Sequence, residues 1–421
     1  MSSQTGAETV QGQDPTKRNV LMLCIALALS NTGTVVVMTV TALSGVYLAR
    51  EGVSYAIPFI GVVPEKALST LALSLQFVAT MASAPPAALF MVRYGRKVGF
   101  TLGQIIGAFG AALAVFALYE QDFWTFVAAG GLLGIHNAFW QQYRFAVADT
   151  ASDSFRAKAV SYVMLGPIAA GVFGPGLAQI SMNVLAPALF AGAYASIFVL
   201  NIIAIGVLQF IRIPVPPRRK KGDDTGRTTK ELLTHPQFLV AVLAGMVGYS
   251  TMSFLMTATP LAMVACGLAS TDVPVVIFGH VIAMFAPSLF TGSLIQRFGA
   301  HRIILTGALL YIFSIGVNAM GVEIKQFFIS LVLVGVGWNF MFVGATTVLT
   351  DFTSPQEKAK VQGLNDFLVF GSVAVASLLA GALQQIFGWT TVFISIAGPV
   401  TVAALCIMIL QGRIRRAVAA E

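Results

Sequence analysis

Two apolar stretches of the sequence carry sulfur or imidazole groups at a spacing of four residues. Met252 and Met256 lie in YSTMSFLMTATP, and His280 and Met284 lie in FGHVIAMFAP. Four residues is about one helical turn, so each pair lies on one face of a helix. Thioether and imidazole groups are soft ligands that favour Cu(I) over hard ions. The four residues are therefore candidate ligands of a monovalent copper ion.

The two stretches belong to consecutive apolar segments, which run in opposite directions if both cross a membrane. Neighbouring helices would then pair Met252 with Met284 and Met256 with His280, as two rungs about one turn apart. A soft cation could step between such rungs. Methionine also fills gaps in helix interfaces, so core packing explains the same pattern. An intramembrane histidine is costlier and is a functional candidate.

A second set of candidate residues combines amides, charges and aromatic rings inside other apolar segments. Uncompensated amides are costly in hydrocarbon, so these side chains should face a cavity or another helix. Aromatic rings and amides on several spans could together line a mostly apolar cavity. The substrate-binding candidates are Asn31, Asn137, Trp140, Gln141, Arg144, Tyr249, Trp338, Asn339, Asn365 and Asp366. Asp366 is also a candidate carrier of a coupling proton.

The elements that position these residues must be membrane spans. The chain has 421 residues, of which 57% are hydrophobic and only 10% are charged. A soluble domain carries roughly 25% charged residues, so this chain could not cover a water-facing surface. Apolar runs of the length that crosses a bilayer recur along it. We predict an all-α integral membrane protein with twelve transmembrane helices, near residues 20–47, 67–91, 98–119, 123–148, 159–182, 186–211, 237–266, 273–296, 303–322, 327–350, 361–386 and 389–410.

Basic residues gather in the loops at one end of these spans. Lys17, the loop from Arg93 to Lys97 and the segment from Arg212 to Lys230 lie on that side. Such asymmetry predicts that this side and both termini are cytoplasmic. The net charge of +8 therefore reflects topology and indicates no nucleic-acid partner. No metal-type cysteine spacing, nucleotide-binding loop or exposed catalytic constellation occurs, so we expect neither a cofactor nor an enzyme.

The chain divides into two similar halves at its one long polar interior stretch. We predict tails at residues 1–18 and 412–421, six-helix halves at 19–211 and 237–411, and a cytoplasmic basic linker at 212–236. The motifs RYGRK and RFGAHR follow the second span of their halves, and DTASDSFRAK and DFTSPQEKAK follow the fourth. The matching motifs occur in the same order and at the same positions in both halves, which indicates a duplicated six-helix unit. Substrate sites in such proteins lie near the midplane, where the repeats meet.

The basic loop R-x-G-R-K after the second span, with its echo after the eighth, resembles the major facilitator superfamily. The six-plus-six layout extends that resemblance over nearly the whole chain. It implies the major facilitator fold, transport by alternating access, and spans 1, 4, 7 and 10 around a central path. The family's usual acidic residue before the loop is replaced by Val92 and Gln296. The residues expected to brace the cytoplasmic gate are Arg93, Arg96, Asp149, Arg297 and Asp351.

The Met-x-x-x-Met and His-x-x-x-Met pairs are similar to a bacterial branch of that superfamily, which contains CcoA-like copper importers and RfnT-like riboflavin permeases. The motif is typical of the branch as a whole and does not distinguish copper from riboflavin as the substrate. Only Cys266 lies near the two rungs, and this shortage of thiols favours the flavin. We therefore expect a monomeric riboflavin uptake permease of the bacterial inner membrane. The alternatives are a Cu(I) importer for cytochrome oxidase assembly and, from the partial antiporter-like stretch GPIAAGVFGPG, a drug or metabolite exporter.

Overall fold

A computed structural model describes residues 15–57, 61–143, 146, 165–213, 226–354 and 357–418. Two sequence-predicted site residues, Arg144 and Asp149, lie outside the described residues. The N-terminal 14 residues and residues 214–225 of the predicted linker lie outside them as well.

The described residues form fourteen α-helices and one two-stranded hairpin. The long helices are apolar over most of their length, and successive ones run in opposite directions. The first half contains α1 (Pro15–Leu48), α2 (Leu71–Tyr94), α3 (Arg96–Glu120), α4 (Phe123–Trp140), α5 (Leu165–Ser181) and α6 (Ala191–Leu208). The second half contains α7 (Thr229–Thr234), α8 (Pro236–Ala265), α9 (Val273–Phe285), α10 (Ser288–Phe298), α11 (Ala300–Ala319), α12 (Ile324–Phe352), α13 (Lys358–Ser395) and α14 (Ala397–Val418).

The helix ends gather at two opposite faces of the bundle. The hairpin face carries the antiparallel strands β1 (Ser54–Ile57) and β2 (Gly61–Pro64), which connect α1 to α2. The linker face carries the start of α1 and the first residues of the segment between the halves. There the Asn19 side chain exchanges two hydrogen bonds of 2.8 Å with the backbone of Arg212. We use these two names for the faces below.

Each of the twelve predicted spans overlaps a helical segment of the described chain. The eighth is the pair α9 and α10, which is bent by 41°. The last two lie within α13 and α14 and are separated at Gly388, whose φ of +79° breaks the helix. By length and composition, eight described helices can cross a membrane, or nine if the bent pair is one span. The predicted all-α membrane fold is confirmed.

The predicted duplication is visible in the turns that follow α2 and α10. Gly95 has φ +90° and ψ 155°, and Gly299 has φ +85° and ψ 146°. Only glycine adopts this backbone conformation without strain, so each turn needs it. In both turns an arginine guanidinium lies 5.2 Å from the ring centroid of the next residue. The pairs are Arg93 with Tyr94 and Arg297 with Phe298.

Two helix pairs make the main contact between the halves. The helix α2 packs against α13, and α5 packs against α9. Small and polar side chains allow the close approach: Ser74 Oγ donates to Ala374 O at 2.6 Å, and Gln179 Nε2 donates to Thr271 O at 3.3 Å. Packing between membrane helices depends on such small residues and interhelical hydrogen bonds.

Candidate functional site

A cluster of aromatic rings lies at mid-depth where the halves meet. Trp338 and Phe342, one turn apart on α12, stack with their centroids 5.1 Å apart and their planes 10° apart. Tyr249 of α8 lies edge-on to both, at 5.6 and 5.5 Å. Phe285 of α9 lies 5.6 Å from Trp338, and Phe370 of α13 lies 5.7 Å from Tyr249. We call these five residues the aromatic cluster.

The aromatic cluster reaches the first half through Phe370. This ring packs with Phe77 of α2, and the half-buried Met38 and Met81 cover the same small core. Tyr249 contacts that core from α8. All of these residues lie near the middle of long helices. The cluster therefore occupies the position at which a duplicated transporter binds its substrate.

Trp338 adds a polar group to the cluster. Its side chain is 6% exposed, and its Nε1–H has no hydrogen-bond partner among the described residues. Buried tryptophans usually pair this group. An unsatisfied buried donor costs about 1–3 kcal/mol. The cluster thus offers two stacked rings, edge contacts and one free donor, which together suit a flat heteroaromatic molecule with a carbonyl group.

The predicted residues Asn365 and Asp366 lie beside the cluster on α13. Asn365 Oδ1 approaches Gly245, which precedes Tyr249 by one turn on α8. Asn365 Nδ2 also donates to Asp366 Oδ1 at 3.3 Å, and both side chains are half-buried. The structure therefore brings the predicted residues Tyr249, Trp338 and Asn365 into one region.

Asn339 has a different environment from its neighbour in the cluster. It is fully buried, and its Nδ2 donates to Met284 O and Ser288 Oγ, both at 2.7 Å. Its Oδ1 accepts from Thr291 at 2.6 Å. These partners flank the bend between α9 and α10, where Pro287 has no N–H to continue the helical ladder. In this conformation Asn339 supports the bend, with both ends of its amide occupied by protein.

The predicted first-half residues lie on α1 and at the end of α4. Asn31 and Asn137 are buried, whereas Trp140 and Gln141 are half-buried. Trp140 Nε1 donates to Asn137 Oδ1 at 2.8 Å.

A small pocket with six polar side chains among its twelve lining residues lies beside Asn137, among α1, α2, α4 and α6. Its free volume of about 10 Å³ is room for about one water molecule. We call it the polar pocket. Its polar lining consists of Ser30, Thr34, Gln76, His136, Asn137 and Asn201.

The four soft-ligand candidates are all buried in the second half. His280 Nδ1 lies 2.7 Å from Leu331 O, and its Nε2 has no hydrogen-bond partner within the residues that the structure describes. The main packing partners of α8 are α13 and α12, and that of α9 is α12, so α8 and α9 touch each other only slightly. The two-rung arrangement of Met252, Met256, His280 and Met284 stays a prediction. Within the described part of the chain, no three His, Cys, Asp or Glu side chains form a metal site.

The predicted gate residues that the structure describes lie on the linker face. Arg93, Arg297 and Asp351 are exposed, and Arg96 is half-buried. Their pairing across the gate stays a prediction, because the predicted partner Asp149 lies outside the described residues.

An ion pair that sequence reasoning missed also lies on the linker face. The backbone N–H and Nε of Arg227 donate to Glu357 Oε1 at 2.6 and 2.7 Å, and Nη2 donates to Oε2 at 2.6 Å. The guanidinium lies 3.8 Å from the Phe352 ring centroid. These hydrogen bonds from Arg227 outweigh desolvation and hold the pKa of Glu357 at about 2. The pair attaches the end of the predicted linker to the start of α13.

The described hydrogen bonds between α2 and α13 lie on the hairpin side of the cluster. There Ser74 and Thr70 donate to carbonyls of α13. Nearer the linker face, Leu89 of α2 is 71% exposed and Phe367 of α13 is 55% exposed. We infer from these contacts that the halves meet on the hairpin side.

Comparison with known proteins identifies the family of the chain and solved structures with a similar fold. The family model of the Major Facilitator Superfamily matches residues 21–285 and 241–419. The riboflavin transporter RfnT of Brucella anthropi is 37% identical over 377 residues, which are 89% of this chain and 91% of RfnT. The "Uncharacterized MFS-type transporter YddS" of Bacillus subtilis is 28% identical over 321 residues, which are 72% of this chain and 73% of YddS. The crystal structure of an autoinhibited POT family peptide transporter superposes with a TM-score of 0.66 at 13% identity, covering 95% of this chain and 97% of that one.

Proposed function

The chain belongs to the major facilitator superfamily, and from that premise we propose that it is an uptake permease for riboflavin. The observation that carries the proposal is the aromatic cluster with the unpartnered indole N–H of Trp338. The similarity to RfnT, which extends over nearly the whole of both chains, supports the same substrate.

The chemistry of riboflavin matches the groups that the site offers. Its flat tricyclic ring can lie against the stacked rings of Trp338 and Phe342, with Tyr249 at its edge. A ring carbonyl of the flavin can accept from Trp338 Nε1. The amide of Asn365 and the carboxyl group of Asp366 are within the same region and are hydrogen-bond partners for hydroxyl groups of the ribityl tail. No net charge on the substrate is required.

Transport follows from the arrangement of the two halves. The basic linker face is the cytoplasmic side, with both termini inside and the protein in the bacterial inner membrane. The described conformation, which is closed at the hairpin face, is then inward-facing. Rocking of the halves about the aromatic cluster opens the hairpin face and closes the linker face in turn. We take the transporting unit to be the monomer.

Neither alternative from the sequence gains support. Met252, Met256 and Met284 lie in the packed core of the second half, which is the ordinary use of methionine. RfnT is named for riboflavin. Copper import and export of other small molecules are therefore outcomes for experiment rather than parts of the proposal.

Uptake in a bacterial host that cannot synthesise riboflavin tests the proposal. Expression of the native chain should restore growth at low riboflavin and give saturable entry of radiolabelled riboflavin. Tyr249→Ala removes edge contacts worth about 0.5–1.5 kcal/mol each and should reduce uptake about tenfold or more. Phe116→Ala, on the 55% exposed outer surface of α3, is the control. Absence of rescue by the native chain at normal expression, with a rise in cellular copper instead, would overturn the proposal.

A further inference from the structure

The polar pocket of the first half contains a buried histidine that the proposed riboflavin site does not use. His136 of α4 is 4% exposed and is the only titratable side chain among the described lining residues. Its Nδ1 lies 3.0 Å from Gly103 O. Because a carbonyl oxygen only accepts, the hydrogen of the neutral ring is on Nδ1, and Nε2 keeps a lone pair. A proton can therefore be added at Nε2.

Two acceptor oxygens in the same pocket have no donor. Gln76 Oε1 and Asn201 Oδ1 have no hydrogen-bond partner in the described part of the chain, although their side chains are only 1% and 3% exposed. Asn201 Nδ2 donates to Ile197 O at 2.8 Å, which fixes the orientation of the amide. Asn201 Oδ1 and the His136 ring both lie close to Gly107. A Cβ added to Gly107 would be 2.8 Å from Asn201 Oδ1 and 2.8 Å from His136 Nδ1, so the two side chains are neighbours. Unsatisfied buried acceptors are costly, and an added donor would relieve them.

The surroundings of His136 are otherwise uncharged in the described chain. The side chains that line the pocket from α1, α2 and α6 are neutral, and α3 contributes the backbone at Gly103 and the bare Cα of Gly107. The ionisable group next to this environment is the Tyr143 phenol, which accepts from Gln104 Nε2 at 2.7 Å. Gln104 Nε2 also donates to Ser30 Oγ at 2.7 Å. Among the described residues that line the pocket, His136 is therefore the side chain that can take up a proton.

We propose that His136 binds and releases the coupling proton that drives uptake, an inference that rests on the proposed riboflavin transport. The proton comes from water on one side of the membrane, bonds to Nε2, and returns to water on the other side. While it is bound, Nδ1–H remains on Gly103 O, and Nε2–H donates to one of the two orphaned oxygens. His136, Gln76 and Asn201 line the same pocket, whose free space can hold about one water molecule.

Accumulation in proteoliposomes tests the coupling. With the membrane potential clamped and an inward gradient of one pH unit, symport of one proton sustains about tenfold accumulation of riboflavin. The native protein should reach this ratio. His136→Gln should only equilibrate riboflavin, with exchange of labelled for unlabelled riboflavin retained. Accumulation by His136→Gln equal to the native value, or accumulation that follows a Na⁺ gradient and ignores pH, would overturn the inference. Absence of exchange by the native protein would overturn the proposed function itself.

Proton binding can also be observed without transport. The chain has four histidines, so imidazole ¹⁵N resonances of the labelled native protein in nanodiscs are few enough to assign by substitution. His136 should change from the neutral ring to imidazolium as the pH falls through the range in which riboflavin accumulates. His280, which has the same bond from Nδ1 to a carbonyl but lies in the methionine-rich core, is the internal reference and should stay neutral.

A second variant keeps the test independent of His136→Gln. Asn201→Asp places a carboxylate beside His136 and should retain the imidazolium to higher pH, because an opposite charge favours the charged form. Accumulation should then fall to the equilibrating ratio, since the proton is not released. A His136 ring that stays neutral at every pH at which riboflavin accumulates would exclude the proton site.

Discussion

At the scale of single residues, Trp338 allows the hydrogen bond to be separated from the stacking. Trp338→Phe keeps an aromatic ring in the cluster and removes the unpartnered Nε1–H. A neutral hydrogen bond contributes about 0.5–1.5 kcal/mol, so the KM for riboflavin should rise about two- to tenfold. The maximal uptake rate should change little, because the bond is made to the bound substrate throughout. Initial rates of radiolabelled uptake over a range of riboflavin concentrations measure both quantities.

The chain offers a matched control for this substitution. Trp389 is also 6% exposed with an unpartnered Nε1, and its ring lies 5.2 Å from Phe327 near the hairpin end of α12. Phe327 precedes Trp338 by about three helical turns. Trp389→Phe should therefore leave the KM unchanged. Equal effects of the two substitutions would mean that loss of any buried indole N–H disturbs the protein, and that Trp338 has no special contact with riboflavin.

The sequence predicted only part of this site, because some of its residue types have no chemical feature that distinguishes a binding role from ordinary packing. Tyr249 and Trp338 could be selected because they carry a polar atom in an apolar segment. Phe285, Phe342 and Phe370 could not, because the chain has 31 phenylalanines and a hydrocarbon ring serves equally in a cavity, a core or against lipid. The sequence also does not show which groups an amide will bond to. Asn339 could therefore be predicted as polar and buried, but not as the residue that supports the bend in span 8.

At the scale of elements, the segment between the halves differs from its sequence pattern. Its Pro, Gly and charged residues predict a linker over 212–236, yet residues 226–236 are attached to the second half. Arg227 binds Glu357, and Thr228 with Glu231 forms a capping box at the start of α7. The capping box is a local motif that sequence can indicate. The ion pair joins residues 130 positions apart, which no local pattern encodes.

The Arg227–Glu357 pair predicts a pH dependence of stability. The folded pKa of Glu357, about 2, is below its ordinary value of 4.5. A depressed carboxyl pKa stabilises the fold above the unfolded value, so the contribution is complete above about pH 4.5 and is lost as the pH falls toward 2. Glu357→Gln should cost about 1–3 kcal/mol at neutral pH. Its deficit in thermal unfolding of the purified protein should shrink over that acid range.

A second glutamate provides the comparison. Glu323 pairs with Lys325 at 2.7 Å, but both side chains are about two-thirds exposed, at 68% and 66%. Solvent-exposed pairs contribute little, so Glu323→Gln should unfold like the native protein at every pH. A deficit of Glu357→Gln that stays constant down to pH 2 would show that packing rather than charge explains the effect.

At the scale of the whole molecule, composition and the repeated apolar runs predicted the fold more completely than they predicted the binding site. Apolar runs of membrane-spanning length, a repeated basic loop and one polar interior stretch suffice for an all-α membrane protein of two related halves. They do not state where the halves touch. Conformations of a transporter differ by a few kcal/mol, and the same sequence populates each of them. Contact on the hairpin side of the cluster is therefore a property of one state, which only the structure gives.

A cross-link can test whether uptake requires this contact to open. Ser74 Oγ donates to Ala374 O at 2.6 Å, so the two positions face each other in the contact and are candidates for a cysteine pair. In a chain whose Cys24, Cys266 and Cys406 are replaced by serine, Ser74→Cys with Ala374→Cys should oxidise readily and stop riboflavin uptake. Reduction should restore it, because only the opening motion is blocked.

On the linker side of the same two helices, we expect a pair of cysteines not to form a cross-link. Leu89 of α2 and Phe367 of α13 lie nearer the linker face and are 71% and 55% exposed. Leu89→Cys with Phe367→Cys should not bridge spontaneously, and each single cysteine should react with a water-soluble maleimide in inside-out vesicles. Bound riboflavin should slow that reaction if substrate favours closure of the linker side. Continued uptake by the oxidised Ser74→Cys, Ala374→Cys protein would show that substrate does not pass between α2 and α13, and the alternating-access assignment of this conformation would then be wrong.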